Sequence, residues 1–115
     1  MPRGSEDNAD EDACLHLVAV DGNARVVGCV IFRDDGDGRG QLMQMAVDPA
    51  RQGQGIGARL VRELERRVAA DGVAEIYLHA RQVAVGFYER LGYEVFGEPF
   101  AEVCIPHRHM RRALG

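Results

Sequence analysis

Leu15, Leu17 and Ala19 alternate with His16 and Val18 along Cys14–Val20, the period of a strand buried on one face. Asp21-Gly22-Asn23 then reads as a turn, with Gly22 and Asn23 supplying the positive φ of a tight hairpin. Arg25–Arg33 is dense in β-branched and aromatic residues (Val26, Val27, Val30, Ile31, Phe32) and predicts a second strand. The run Asp34–Gly40 predicts a polar loop; it lacks the acid spacing and the final Glu of a calcium loop. Gln41–Val47 predicts a third strand, stopped by Asp48-Pro49. From Ile56 the period changes: Ile56, Leu60, Leu64 and Val68 recur every four residues with Val61 beside them. Arg59, Arg62, Glu63, Arg66 and Arg67 cover the remaining surface, so an amphipathic helix is expected to about Ala70. Glu63 and Arg67 form a favourable i, i+4 pair, and Asp71-Gly72 ends the helix. Glu75–Ala80 predicts a strand and Gln82–Leu91 a short helix capped by Gly92. Tyr93–Val95 and Ala101–Ile105 predict short strands around Gly97-Glu98-Pro99. The order of elements implies an α/β (α+β) fold: a mixed, mostly antiparallel sheet with helices packed on it and one strand–helix–strand crossover.

The chain of 115 residues is expected to hold one folded domain, 13–115, behind a leader, 1–12. That leader carries Glu6, Asp7, Asp10, Glu11 and Asp12 against Arg3, which predicts a solvated, disordered tail. It accounts for the whole net charge of −4. The rest of the chain is neutral, which argues against nucleic-acid binding through a basic face. The longest apolar run, Val26–Phe32, is far too short to span a membrane, and none is expected as a partner. Cys14, Cys29 and Cys104 are three widely spaced cysteines with no C-x-x-C pair. They read as small buried residues in apolar strands, in a reducing cytoplasm. All 14 basic residues are Arg, and the one Ser is Ser5. Schiff-base chemistry, a Walker phosphate loop and a serine-hydrolase triad are thereby excluded. Backbone amides, Tyr, His, carboxylates, Arg and Cys remain.

The strongest signal lies between the third strand and the long helix. Gly53, Gly55 and Gly57 occupy alternate positions just where the helix begins. Glycine lets a ligand approach the backbone closely. The first N–H groups of a helix lack internal partners and carry partial positive charge, so a phosphate or pyrophosphate site is expected. The spacing is neither G-x-G-x-x-G nor Walker A.

These residues resemble a known family. Gln52-Gly53-Gln54-Gly55-Ile56-Gly57 is similar to the Q/R-x-x-G-x-G/A signature of the GNAT superfamily, the Gcn-five-related N-acetyltransferases. Met45-Ala46-Val47-Asp48-Pro49 before it and Leu60 after it fit the same pattern. Phe87-Tyr88-Glu89-Arg90-Leu91-Gly92-Tyr93 resembles that family's F-Y-x-x-x-G-F/Y segment. The ending Ile105-Pro106-His107-Arg108-His109-Met110 further resembles the ElaA-like branch.

The resemblance implies a GNAT-like fold, acetyl-CoA as co-substrate and no metal. It places the pyrophosphate on the N–H groups of Gln52, Gly53, Gln54, Gly55, Gly57 and Ala58. Met45, Ala46 and Val47 would hold the pantetheine arm, with an N–H of Ala46 or Val47 polarising the thioester carbonyl. The acceptor amine would attack directly, without an enzyme nucleophile. Tyr88 would protonate the departing thiolate. The candidate bases are His79, Glu98, Glu102 and His107, with Glu102 and His107 preferred. Arg81 reads either as a contact to the CoA phosphates or as a surface cation. His107-x-His109 lacks a third metal ligand.

Members of that superfamily usually carry a further strand and one or two helices ahead of the region resembling Cys14–Val20, and these shape the acceptor pocket. Here the acidic leader stands in that place. The acceptor is therefore left as a small-molecule or peptide amine, and a second subunit is expected to cover the open edge, giving a homodimer. The alternative to an N-acetyltransferase is a non-catalytic domain that binds acetyl-CoA or CoA as a sensor or scaffold.

Overall fold

The computed structural model describes residues 14–114, so the predicted leader at 1–12 lies outside the described residues. Six strands form one sheet: β1 (Cys14–Val20), β2 (Val26–Gly36), β3 (Arg39–Val47), β4 (Glu75–Arg81), β5 (Glu94–Glu102) and β6 (Ile105–Ala113). Their order across the sheet is β1-β2-β3-β4-β6-β5. β3 and β4 are parallel, joined by helix α1 (Ile56–Ala70), and every other neighbouring pair is antiparallel. A short second helix, α2 (Val85–Arg90), follows a 3-10 turn at Gln82–Ala84.

Alternation along the strands decides which face is covered. Val30, Phe32, Leu42, Ile76, Leu78 and Met110 point toward the helices and pack with Leu60, Val61, Leu64 and Val68 of α1 and Tyr88 of α2. Both helices therefore lie on one face of the sheet. α1 ends as expected: Gly72 takes φ +94, and the Val73 N–H returns to the Val68 carbonyl at 3.0 Å. Among the described residues no helix is long and apolar enough to cross a membrane.

The connections differ from the sequence expectation in four places. In the first turn the positive φ falls on Ala24 (64°), and not on Gly22 or Asn23. Asp21 organises this turn, because its Oδ1 accepts from the N–H groups of Asn23 and Arg25. The expected loop Asp34–Gly40 is mostly strand, closed by a tight turn at Asp37-Gly38. Arg33 and Asp35 pair along β2 at 2.9 Å, and Asp35 accepts from Tyr77 of β4, so polar residues hold this ladder together. Gly97-Glu98-Pro99 is not a turn but an irregularity inside β5, across which pairing with β6 continues. The hairpin turns instead at Val103 (φ 50°) and Cys104 (φ 62°). Cys104 is thus exposed at that turn, whereas Cys14 and Cys29 are half-buried in strands.

One feature of the sheet prepares the site. Pairing between β3 and β4 runs from Arg39↔Glu75 to Leu42↔Leu78 and stops there, although β3 continues to Val47 and β4 to Arg81. Two parallel strands that begin side by side thus separate toward their C-terminal ends.

Candidate active site

The glycine turn lies at the mouth of this separation. Asp48 accepts from the Ala50 N–H at 2.9 Å and starts a 3-10 turn, Pro49–Arg51. Arg51 Nη2 is fastened to Asp21 Oδ2 at 2.7 Å, tying the turn to the β1–β2 connection. Gly53 and Gly55 take φ +84 and +81, and a Cβ built on either meets nothing within 4 Å, so open space fronts this backbone. α1 begins after Gly55 with no side-chain cap and no acid in its first turn. The Arg59 N–H closes on the Gly55 carbonyl at 3.1 Å, which leaves the N–H groups of Ile56, Gly57 and Ala58 as the orphans of the first turn. Gly57 allows close packing: a Cβ there would stand 3.3 Å from both Met45 Cε and Phe87 Cζ. The turn, the end of β3 and α2 enclose a cleft of about 600 Å³. Met45, Ala46, Val47, Gln52, Gly53, Gly55, Gly57 and Ala58 line it, and Gln54 does not. Arg51, Ile56, Phe87 and Arg90 also line it.

The backbone of β3 is oriented by its other partner. The Asp48 N–H donates to the Val27 carbonyl of β2 at 2.8 Å. Hydrogen-bonding direction alternates along an antiparallel pair, so Ala46 likewise faces β2. Met45 and Val47 turn their backbone groups toward the opening that β4 has left.

A second cavity, about 660 Å³, opens on the far side of that separation. Met45, Gln52 and Phe87 line both cavities, so the two meet at these side chains. Tyr88, Glu102 and His107 all line the second one, together with His79 and Arg81. Tyr88 is 7% exposed, packed edge-on against Phe87 (5.0 Å) and Tyr93 (5.7 Å). Burial pushes its phenol up to about 12. Glu102 sits between two imidazoles, with Oε1 3.3 Å from His107 Nε2 and Oε2 3.6 Å from His79 Nδ1. His107 Nδ1 lies 2.7 Å from the Ile105 carbonyl. That oxygen can only accept, so Nδ1 carries the proton and Nε2 is presented to Glu102. Three of the four candidate bases therefore converge, because β4, β6 and the end of β5 are neighbours in the sheet. Glu98 is exposed and lines neither cavity. Arg81 stands in the second cavity, away from the glycine turn. His109 is stacked on Phe100 at 4.2 Å, and no group of three or more potential metal ligands occurs among the described residues.

The separated strand pair and the uncapped helix N-terminus behind the glycine turn leave room for a long, phosphate-bearing ligand whose end reaches a second cavity. The model of the acetyltransferase (GNAT) family matches residues 2–93. The chain is 32% identical over 113 residues to the uncharacterized N-acetyltransferase YjcF of Bacillus subtilis (strain 168), across 97% of this chain and 79% of that one. It belongs to the acetyltransferase (GNAT) family and is an acyltransferase enzyme. Among solved structures it is similar to an aminoglycoside 6'-N-acetyltransferase complexed with coenzyme A, with TM-score 0.75, 25% identity, and 89% and 73% of the two chains covered. The fold also matches the ribosomal-protein-S18-alanine N-acetyltransferase from Escherichia coli, with TM-score 0.76, 22% identity, and 90% and 70% covered.

Proposed function

We propose that the protein moves an acetyl group from acetyl-CoA to a primary amine of a small molecule or a peptide, by direct attack of the amine on the thioester. The observation that carries this reading is the junction of the two cavities at Met45, Gln52 and Phe87. A donor in the first cleft can there present its reacting end to an acceptor in the second.

The residues fit the donor. The orphan N–H groups at the start of α1 and the open backbone at Gly53 and Gly55 suit a pyrophosphate, with Gln52, Gln54, Gly57 and Ala58 completing the turn. Met45 and Val47 offer backbone N–H groups to the pantetheine arm and to the thioester oxygen; Ala46 contributes to the wall, since its own N–H faces β2. The acceptor enters as an ammonium and loses one proton to the Glu102–His107 pair. Its nitrogen then forms the C–N bond as the C–S bond breaks, and its second proton passes to the departing sulfur. At about 12 the Tyr88 phenol lies well above a thiol near 8.5, so outright proton donation would be uphill by about 5 kcal/mol. Tyr88 instead hydrogen-bonds the sulfur and passes a proton on as it takes one from the amine nitrogen.

A reducing cytoplasm suits the scattered cysteines. Among the described residues β1 is an edge strand, and its Val18 and Val20 are more than half exposed, which supports pairing of two copies along it; a monomeric mass by light scattering at micromolar concentration would overturn that pairing. The reaction itself is tested by thiol release from acetyl-CoA against a panel of primary amines, beside calorimetry with acetyl-CoA. Binding with amine-dependent release is expected. Binding without release from any amine would leave a sensor or scaffold, and no binding would overturn both.

A further inference from the structure

The acceptor cavity contains one carboxylate, Glu102, and one guanidinium, Arg81. They are not partners. Glu102 is taken up by His107 on one oxygen and His79 on the other. Arg81 is exposed, and its guanidinium has no ion pair or hydrogen bond with any described residue. It ends β4 directly opposite His107 in the β4–β6 register. Opposed residues of an antiparallel pair share a face, with Cβ atoms about 5 Å apart. The unpaired cation therefore stands within a few bonds' reach of the group that takes the amine proton. It does not line the cleft of the glycine turn, where the proposed donor phosphates lie.

We propose that the acceptor carries an anionic group, a carboxylate or a phosphate, beside its amine, and that Arg81 selects it. This inference rests on the acetyl-transfer reading above. The ammonium enters toward Glu102 and the imidazoles while the anion pairs with Arg81, so a zwitterionic amine meets both charges in the cavity. A neutral amine leaves the guanidinium unmatched, and a diamine brings a second cation to it. An Arg fork serves either anion in bidentate fashion.

The test compares thiol release with β-alanine, 3-aminopropyl phosphate, β-alaninamide and 1,3-diaminopropane, which share one short amine arm. The anionic amines are expected to exceed β-alaninamide in kcat/KM by about tenfold, the effect of one charge-assisted hydrogen bond, with 1,3-diaminopropane slowest. Whichever anion gives the larger ratio identifies the group. Arg81→Ala and Arg81→Gln should bring the ratio of anionic to neutral amine close to one, while Arg39→Ala, at the opposite end of the β3–β4 pair, keeps it. Thermal melting of each variant shows whether it is folded, and the ratio within one variant is independent of its amount of active enzyme. Equal rates across the panel, or a preference that survives in both Arg81 variants, would overturn the proposal and leave acetyl transfer standing. Absence of release from every amine would overturn acetyl transfer and this inference with it.

Discussion

Tyr88 combines a buried ring with a place in the wall of the second cavity. Tyr88→Phe keeps the ring packing and removes the hydroxyl proposed to relay a proton to the sulfur. Turnover should fall by about 100-fold, in the range of general-acid effects, while acetyl-CoA affinity measured by calorimetry stays within about twofold. Unaltered turnover would remove Tyr88 from the chemistry. A second consequence concerns pH. The chain has no Lys, so above about pH 10 tyrosines are its principal titrating side chains. Burial is the leading cause that raises Tyr77, Tyr88 and Tyr93 alike. A raised folded-state pKa contributes stability that is complete below the unfolded value near 10 and is lost as pH rises through the folded value. For Tyr88, with its value at about 12, the loss reaches about 1.4 kcal/mol by pH 11. Urea midpoints at pH 9 and pH 11 should show it, and Tyr88→Phe should lose less between them. Tyr88 was readable from its motif. Arg51, Arg90 and the pairing of Glu102 with His79 were not, because strand neighbours and turn geometry bring those groups together across long stretches of chain.

On α1 two glutamates two positions apart differ in kind. Glu63 is on the solvent side, where hydrogen bonds from Arg66 and Arg67 hold its carboxyl at about 2. Glu65 lies on the apolar stripe with Val61 and Val68 and is 7% exposed. It accepts from the Tyr93 hydroxyl, from Arg112 Nη1 of β6 and from Arg62 Nη1, each at 2.9 Å. Glu65→Ala would strand a buried phenol and a partly buried guanidinium, and should cost about 3 kcal/mol in chemical denaturation. Glu63→Ala should cost far less, since exposed pairs are screened by water; equal costs would contradict this division. The helix itself was plain from its four-residue period, and the Glu63–Arg67 pair with it. The β5–β6 hairpin was hidden for a physical reason. Its turn uses Val103 and Cys104, which carry none of the usual turn preference, while Gly97 and Pro99 mark an irregularity inside a strand. β6 was hidden as well, because Ile105–Ala113 directs few apolar side chains to the core and is held between β4 and β5 by pairing.

Across the whole molecule, the element order and the parallel crossover through α1 followed from the sequence pattern; the second crossover, from β4 through α2 past β6 to β5, and the departure of β3 from β4 did not. Nothing in Met43–Val47 as a sequence shows that one side of the strand is left without a neighbour; that depends on where β4 turns away. The consequence is that the folded sheet is unfinished along this stretch. The outward amides of Met45 and Val47 are backbone groups of a central strand with the exposure of an edge. A ligand that lies along β3 therefore completes secondary structure as well as filling a cleft. At 100 times its dissociation constant such a ligand should add about 2.7 kcal/mol to the unfolding free energy. Hydrogen exchange should locate that gain, with the amides of Met45 and Val47 slowing on addition of acetyl-CoA while Ala46, already turned to β2, changes least. On the proposed reading the substrate takes the place of a missing strand beside β3, and its binding is then measurable as a gain in folding.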